Sequence, residues 1–192
     1  MRKLLLILAV GCCLHAAAQG TVERIRQLYA DMRQTISERG EDAYPEEYYR
    51  LNIVQNLPAT GRHVEDVTMY FTDDEVDEIY PPHHLLFATV KYNFAVCEFY
   101  EEYLFDDDGH LLFAYGRLPQ DDATFRELRL YWNGDRLEHV IVKAQTPDSP
   151  DFKVEYTGKS LRGEDEGMDA FYRECAEKLL VEFRAIDDAT RH

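Results

Sequence analysis

The chain has 192 residues, 45% hydrophobic and 12% aromatic, and its 37 Asp and Glu outnumber 21 Lys and Arg to give a formal net charge of −16. This apolar content excludes an intrinsically disordered chain, and the excess of acids argues against general nucleic-acid binding, which depends on clusters of Lys and Arg. At this length we expect one domain that buries roughly 70% of its unfolded surface.

Residues 2–18 have the features of a secretory signal. Two cations precede an apolar run, Leu4–Val10, and three alanines end the segment. The run is shorter than the roughly 20 apolar residues that span a bilayer, so it predicts export rather than a membrane span. Cleavage before Gln19 would leave residues 19–192 as a single α+β domain, secreted or periplasmic.

Lipidation of Cys12 is an alternative to this cleavage. The four residues that end at Cys12, Ala-Val-Gly-Cys, resemble the cysteine box of bacterial lipoproteins. The box lacks the usual Leu three residues before the cysteine, and the residues after it do not form a polar tether. We therefore favour soluble export over an envelope-associated lipoprotein.

An amphipathic helix is predicted after Gly20. Its apolar side chains recur every three or four residues, at Val22, Ile25, Tyr29, Met32 and Ile36. Charged residues fill the other face, at Arg24, Arg26, Arg33 and Glu38. The helix is expected to end at Gly40. Residues 41–60 hold two prolines and no clean period, so we interpret them as a connection with one short helix or strand.

From Val64 onward the hydrophobic pattern has a period of two, which is typical of strands. Two hairpins are predicted within it, with turns at Asp108–Gly109 and Asn133–Gly134, because these dipeptides accept the positive φ of tight turns. If the second turn is a two-residue loop, Arg129 lies opposite Glu138.

A short strand at Phe152–Tyr156 and a second amphipathic helix complete the predicted order of elements. The apolar stripe of this helix is Met168, Tyr172, Cys175, Leu179, Phe183 and Ile186. We therefore expect an α+β fold, with an N-terminal helix, an antiparallel β-meander of five or six strands, and a C-terminal helix packed on the same sheet face. This order of elements is similar to that of cystatin-like and NTF2-like folds, in which a curved sheet wraps a helix.

The sequence contains none of the common catalytic or nucleotide-binding motifs, such as a Walker A loop, G-x-G-x-x-G, H-E-x-x-H or G-x-S-x-G. Asp106–Gly109 suggests a calcium loop, but an EF-hand alignment would put Leu104 and Tyr115 at ligand positions, so we expect a solvated turn. The histidines lack the spacing of a zinc site. We predict no cofactor and no metal, and we favour a protein that is not an enzyme.

Signal cleavage would leave two cysteines, Cys97 and Cys175. In an oxidising compartment they can form a disulfide, and two buried free thiols are an equal alternative. A bridge would need the Cα atoms within about 7 Å of each other.

One carboxylate interrupts an apolar strand face, because Glu101 alternates with Phe99 and Tyr103. Either Glu101 lies at the rim, which we favour, or it is a buried acid in a ligand pocket. The opposite face is predicted to form an outward patch of Glu98, Tyr100, Glu102, Tyr115 and Arg117. Tyr and Arg are frequent at interfaces, so this patch is a candidate contact surface for a basic protein or a glycan, and an ordinary solvated face is the simpler alternative.

These observations favour an exported, non-catalytic binding protein. One version is an acidic inhibitor or scavenger that attracts a basic partner by charge. The alternatives are a ligand-binding or hydrolytic pocket with Glu101 at its centre, and an envelope lipoprotein anchored through Cys12.

Overall fold

A computed structural model describes residues 2–39, 48–73, 82–121 and 124–190, and within the first helix the side chains of residues 20–38. The described residues form two long helices and one eight-stranded sheet. The helices are α1 (Arg2–Arg39) and α2 (Met168–Thr190), with a 3-10 turn at Gly163–Asp165 before α2. The strands are β1 (Tyr48–Leu57), β2 (Gly61–Asp73), β3 (His83–Phe94), β4 (Cys97–Phe105), β5 (Leu111–Pro119), β6 (Phe125–Asn133), β7 (Arg136–Thr146) and β8 (Ser149–Gly158).

The sheet is an antiparallel meander in which each strand pairs with the next one along the chain. The predicted α+β class, terminal helices and antiparallel sheet are confirmed, but the expected five or six strands are eight in the described chain. One strand that the sequence analysis assigned to a connection is β1. Its apolar residues Tyr49, Leu51 and Ile53 are half-buried and alternate with exposed Arg50 and Asn52, although none of its ten residues is fully buried.

The two helices pack on opposite faces of the sheet, which contradicts the expected packing on one face. Tyr103 and Phe105 of β4 belong to the core beneath α2, whereas Leu104 belongs to the core beneath α1. A strand that is apolar on both faces needs cover on both sides. The cystatin-like or NTF2-like arrangement, with one curved sheet face around a helix, is therefore not confirmed.

Each layer has its own buried cluster. The α2 core includes Val67, Met69, Ala88, Tyr103, Leu128, Leu130, Val140, Tyr172, Leu179 and Phe183. The α1 core includes Val22, Ile25, Phe87, Leu104, Leu112, Phe113, Tyr115 and Tyr131. The central strands thus separate two cores, and the residues that face α1 form a different chemical environment from those that face α2.

The β6–β7 hairpin has a different register from the predicted one. Its two loop residues are Gly134 and Asp135, one position later than expected, and Gly134 takes a φ of 56°. A bulge at Glu138 of β7 adds a second shift, so Arg129 pairs with Ile141 and not with Glu138. A bulge inserts one residue into one strand and displaces all later pairs.

Among the residues that the structure describes, no helix has a segment both apolar enough and long enough to cross a membrane. The predicted cleavage before Gln19 and the alternative lipidation of Cys12 concern side chains outside the described part of the chain.

Candidate functional site: a groove beside α1

The five residues of the predicted patch share one sheet face, as the period-two pattern requires. Tyr100 pairs with Arg117, and Glu102 pairs with Tyr115, across β4 and β5. Helix α1 covers part of this face, so Glu102 and Tyr115 are buried. The prediction of an open outward patch is therefore wrong at these two positions.

Glu102 attaches α1 to the sheet. Its carboxylate accepts a hydrogen bond from the Tyr29 hydroxyl at 2.5 Å and from the Tyr100 hydroxyl at 2.6 Å, and the Arg33 guanidinium lies 3.1 Å away. Burial and the adjacent Glu102 raise the pKa of both tyrosines above the usual range, so both donate as neutral hydroxyls. Tyr29 and Arg33 belong to α1, so a single buried carboxylate positions this helix.

A groove runs beside α1 over β5, β6 and β7, and we call it the α1 groove. It encloses a cavity of about 380 Å³. Three cations line it, namely Arg26 from α1, Arg129 from β6 and Lys143 from β7. The rest of the lining is aromatic or aliphatic and consists of Tyr29, Phe113, Tyr131 and Ile141. The site combines positive charge with aromatic surface in a chain whose net charge is −16.

The sheet carboxylates on this face are more buried than the cations of α1. The side chains of Glu102 and Glu127 are 3% and 12% exposed, whereas those of Arg26 and Arg33 are 43% and 46% exposed. Glu127 also accepts the Tyr115 hydroxyl at 2.8 Å. One exposed acid stands beside these cations, because Glu23 lies 3.4 Å from Arg26 and its side chain is 76% exposed.

Two further residues lie at or beside the groove. The Nε atom of Arg129 is buried without a hydrogen-bond partner among the described residues, which is unfavourable unless an acceptor is supplied. His139 pairs with Tyr131 beside the groove. Burial, and to a smaller extent the charges of Arg26 and Lys159, lowers the pKa of His139.

Glu101 lies on the opposite face, in the α2 core, and only 3% of it is exposed. The favoured rim position is therefore wrong, and the alternative of a buried acid applies. Its carboxylate accepts the Tyr103 hydroxyl at 2.5 Å and the Tyr92 hydroxyl at 3.0 Å. Burial raises the pKa of Glu101, and the two tyrosine hydrogen bonds oppose that shift. Glu101 is not part of the α1 groove.

Cys97 and Cys175 are both free thiols and both half-buried. Burial and the nearby Glu101 raise the pKa of the Cys175 thiol to about 11, and the thiol forms a hydrogen bond with the side chain of Tyr103. Glu101 and Tyr103 lie four and six residues along β4 from Cys97, roughly 13 and 20 Å at the usual rise of a strand. That separation is consistent with two separate thiols rather than a disulfide.

The turn between β4 and β5 holds one group of potential metal ligands, Asp106, Asp108 and His110, whose ligand atoms lie within 4.8 Å of one another. Asp106 Oδ1 accepts the backbone N–H of Asp108 at 3.1 Å and that of His110 at 2.7 Å. These bonds close a turn around Gly109, which has a φ of 82°. We assign this cluster to the turn.

The cations of the α1 groove were not expected from the sequence. Arg26 and Arg33 were predicted on the solvent side of the first helix. A signal was present, because Arg26, Tyr29 and Arg33 are separated by three and four residues, a spacing that puts them on one helix face. Arg129 and Lys143 gave no such signal, since they approach each other only through the pairing of β6 with β7.

Comparison with protein-family models, with curated proteins and with solved structures finds no match to this chain. Its function is therefore inferred from the geometry of the α1 groove.

Proposed function

We propose that the protein is an exported, non-catalytic binding protein that holds an anionic ligand in the α1 groove. Export is supported by the signal-like features of residues 2–18. Binding is supported by one observation: Arg26, Arg129 and Lys143 converge on an aromatic-lined cavity. Charge-assisted hydrogen bonds from such cations orient a carboxylate or sulfate, and the aromatic lining accepts the face of a ring.

The size and lining of the groove fit binding rather than catalysis. A cavity of about 380 Å³ falls within the usual range for small-molecule sites. Its lining consists of Arg, Lys, Tyr, Phe and Ile, and it places no Ser, Cys, His or carboxylate beside Lys143 or the tyrosines to complete a pair of nucleophile and base. A sugar ring that carries an acid group matches both parts of this lining.

Isothermal titration calorimetry tests the proposal with D-glucuronate and with D-glucose as its uncharged counterpart. Glucuronate should bind more tightly than glucose. Removing one charge by Lys143→Gln or Arg26→Gln should weaken glucuronate binding about ten-fold or more, as expected for a lost charge-assisted hydrogen bond. Lys153→Gln removes an exposed lysine of β8 outside the groove and serves as the matched control.

Two results would reject the proposal. One is equal affinity for glucuronate and glucose, which would mean that the cations do not contact the ligand. The other is an equal loss of affinity in Lys143→Gln and Lys153→Gln, which would reflect only the change in net charge.

A further inference from the structure

A second cavity, of about 260 Å³, lies on the same side of the sheet as the α1 groove. Its lining consists of Lys91, Glu98, Phe99, Tyr100, Arg117 and Phe125. The guanidinium of Arg117 lies 4.1 Å from the centre of the Phe125 ring, in cation–π contact. Three residues of the predicted patch thus line this cavity, which repeats the combination of cations and aromatic rings seen in the α1 groove.

One row of side chains joins the two cavities. Lys91, Tyr100, Arg117, Glu127 and Lys143 are direct partners on five successive strands, β3 to β7. We call these five residues the charged row. Neighbouring strands are about 4.8 Å apart, so the row spans roughly 19 Å, and the backbones at Arg117 and Lys143 are separated by roughly 10 Å.

The charged row presents its cations more than its acid. Lys91 is 58% exposed at its side chain, and Arg117 is also exposed. Glu127 lies between Arg117 and Lys143, but its carboxylate accepts the Tyr115 hydroxyl and lies 3.6 Å from the Arg129 guanidinium. Arg129 thus compensates Glu127, and Glu98, whose side chain is 70% exposed, lies 3.7 Å from Lys91. Among the described residues Arg117 and Lys143 have no such acidic partner, so the row offers one uncompensated cation at each of two separate positions.

The spacing of these positions determines the class of ligand, and the inference rests on the proposed function. A compact anion or a single acidic sugar reaches one cationic position only. We infer that the ligand is a linear acidic oligosaccharide with acid groups on alternate sugars, lying along the charged row. One acid binds at Arg129 and Lys143, the next binds at Arg117 and Lys91, and the intervening sugar lies against the aromatic side chains.

Other linear polyanions fit the surface less well. A peptide usually binds a sheet by adding a strand at an edge, but the charged row lies on the face of strands that are already paired on both sides. A nucleic acid carries one phosphate per nucleotide, so most of its charges would have no partner at a surface with two cationic positions. A sugar chain needs neither backbone donors nor a dense array of cations.

Calorimetric titration with oligosaccharides of alternating glucuronate and N-acetylglucosamine tests the inference. The tetrasaccharide, with two acids, should bind about ten-fold more tightly than the disaccharide, with one, because only the tetrasaccharide gains a second charge-assisted contact. Arg117→Gln and, separately, Lys91→Gln should bring this affinity ratio close to one. Lys153→Gln should keep the ratio of the wild type, and circular dichroism confirms that each variant is folded.

The outcomes separate the two proposals. If glucuronate binds and Lys143→Gln weakens it, but the tetrasaccharide binds no more tightly than the disaccharide, the oligosaccharide is rejected and the proposed function stands. If glucuronate and both oligosaccharides all fail to bind, both proposals are rejected. If a poly-glutamate peptide or a single-stranded DNA oligomer binds the wild type more tightly than the tetrasaccharide, the ligand class is wrong.

Discussion

Glu101 and Glu102 are adjacent in the sequence and have separate roles, because neighbouring residues of a strand point to opposite faces. Glu101 accepts two tyrosine hydroxyls in the α2 core, and Glu102 accepts two beneath α1. A buried carboxylate is costly unless it is hydrogen-bonded. The four tyrosines of α1, β3 and β4 that make these bonds therefore stabilise the fold, because each hydroxyl donates a hydrogen bond to a buried carboxylate.

Glu101→Gln is expected to flatten the pH dependence of stability. Burial raises the pKa of Glu101, so the folded protein keeps this proton to a higher pH than the unfolded chain does. Between the ordinary pKa and the raised one the folded state binds more protons, so the free energy of unfolding falls as pH rises and then levels off. Urea unfolding between about pH 4 and 8 measures this contribution.

The matched control is Glu98→Gln, because the side chain of Glu98 is 70% exposed. It should leave the pH profile close to that of the wild type. Superimposable profiles for the wild type and Glu101→Gln would show that the Glu101 carboxyl does not titrate differently in the folded protein.

The thiol of Cys175 should react slowly with iodoacetamide. Its pKa of about 11 gives a thiolate fraction near pH 8 that is roughly a hundredfold below that of a thiol with the ordinary pKa, and the thiolate is the nucleophile. Peptide mass spectrometry after timed alkylation measures the rate, with the urea-unfolded protein as the reference. Equal rates in the folded and unfolded protein would contradict the burial of this thiol.

At the scale of elements, α2 approaches β5 at one point where a side chain is missing. A Cβ atom added at Gly116 would lie 1.6 Å from the hydroxyl oxygen of Tyr172, so glycine is required for this contact. The Tyr172 hydroxyl is buried without a hydrogen-bond partner among the described residues. The close packing of α2 on the sheet therefore includes one unsatisfied polar group.

Gly116→Ala should destabilise the protein by about 1–3 kcal/mol, the usual cost of overpacking a core. Tyr172→Phe should be neutral or slightly stabilising, because it removes a buried hydroxyl that has no partner. The double variant should recover part of the loss, since the ring remains but the closest atom is gone. Urea unfolding of all four proteins tests this coupling, and strictly additive effects would contradict it.

At the scale of the whole molecule, the two helices differ in how many side chains they bury against the sheet. Of the described α1 side chains, Val22 and Ile25 are buried, whereas α2 buries Tyr172, Ala176, Leu179, Phe183 and Asp187. Segments with fewer buried contacts open locally at a lower free energy than the rest of the structure. The layer that forms one wall of the α1 groove is therefore the less stable one.

Hydrogen exchange read by mass spectrometry should show this difference. Amides in the described part of α1 should exchange faster than those in the middle of α2. Saturating glucuronate should slow exchange in α1 and leave α2 nearly unchanged, because the ligand contacts Arg26 and stabilises the docked helix. Slower exchange in α1 than in α2 without ligand would contradict the unequal packing.

Periodicity in the sequence determined several features correctly. The α+β class and the second helix from Met168 follow from local patterns, because a helix or strand repeats its buried face at a fixed spacing. The period of two also placed Tyr100, Glu102, Tyr115 and Arg117 on one face, as observed. The same period is present in β1, where Tyr49, Leu51 and Ile53 alternate with polar residues, so this strand was also predictable from the sequence.

Tertiary structure alone decided which layer covers each face. A period of two tells which residues share a face, but not whether that face meets solvent or a helix, so Glu102 and Tyr115 were expected outside and are covered by α1. Burial of a charge depends on partners distant in sequence, as with Tyr29, 73 positions from Glu102. The α1 groove likewise exists only where α1 meets β6 and β7. The sequence by itself therefore determined the fold class and which residues share a face, whereas the packing of the helices determined the site.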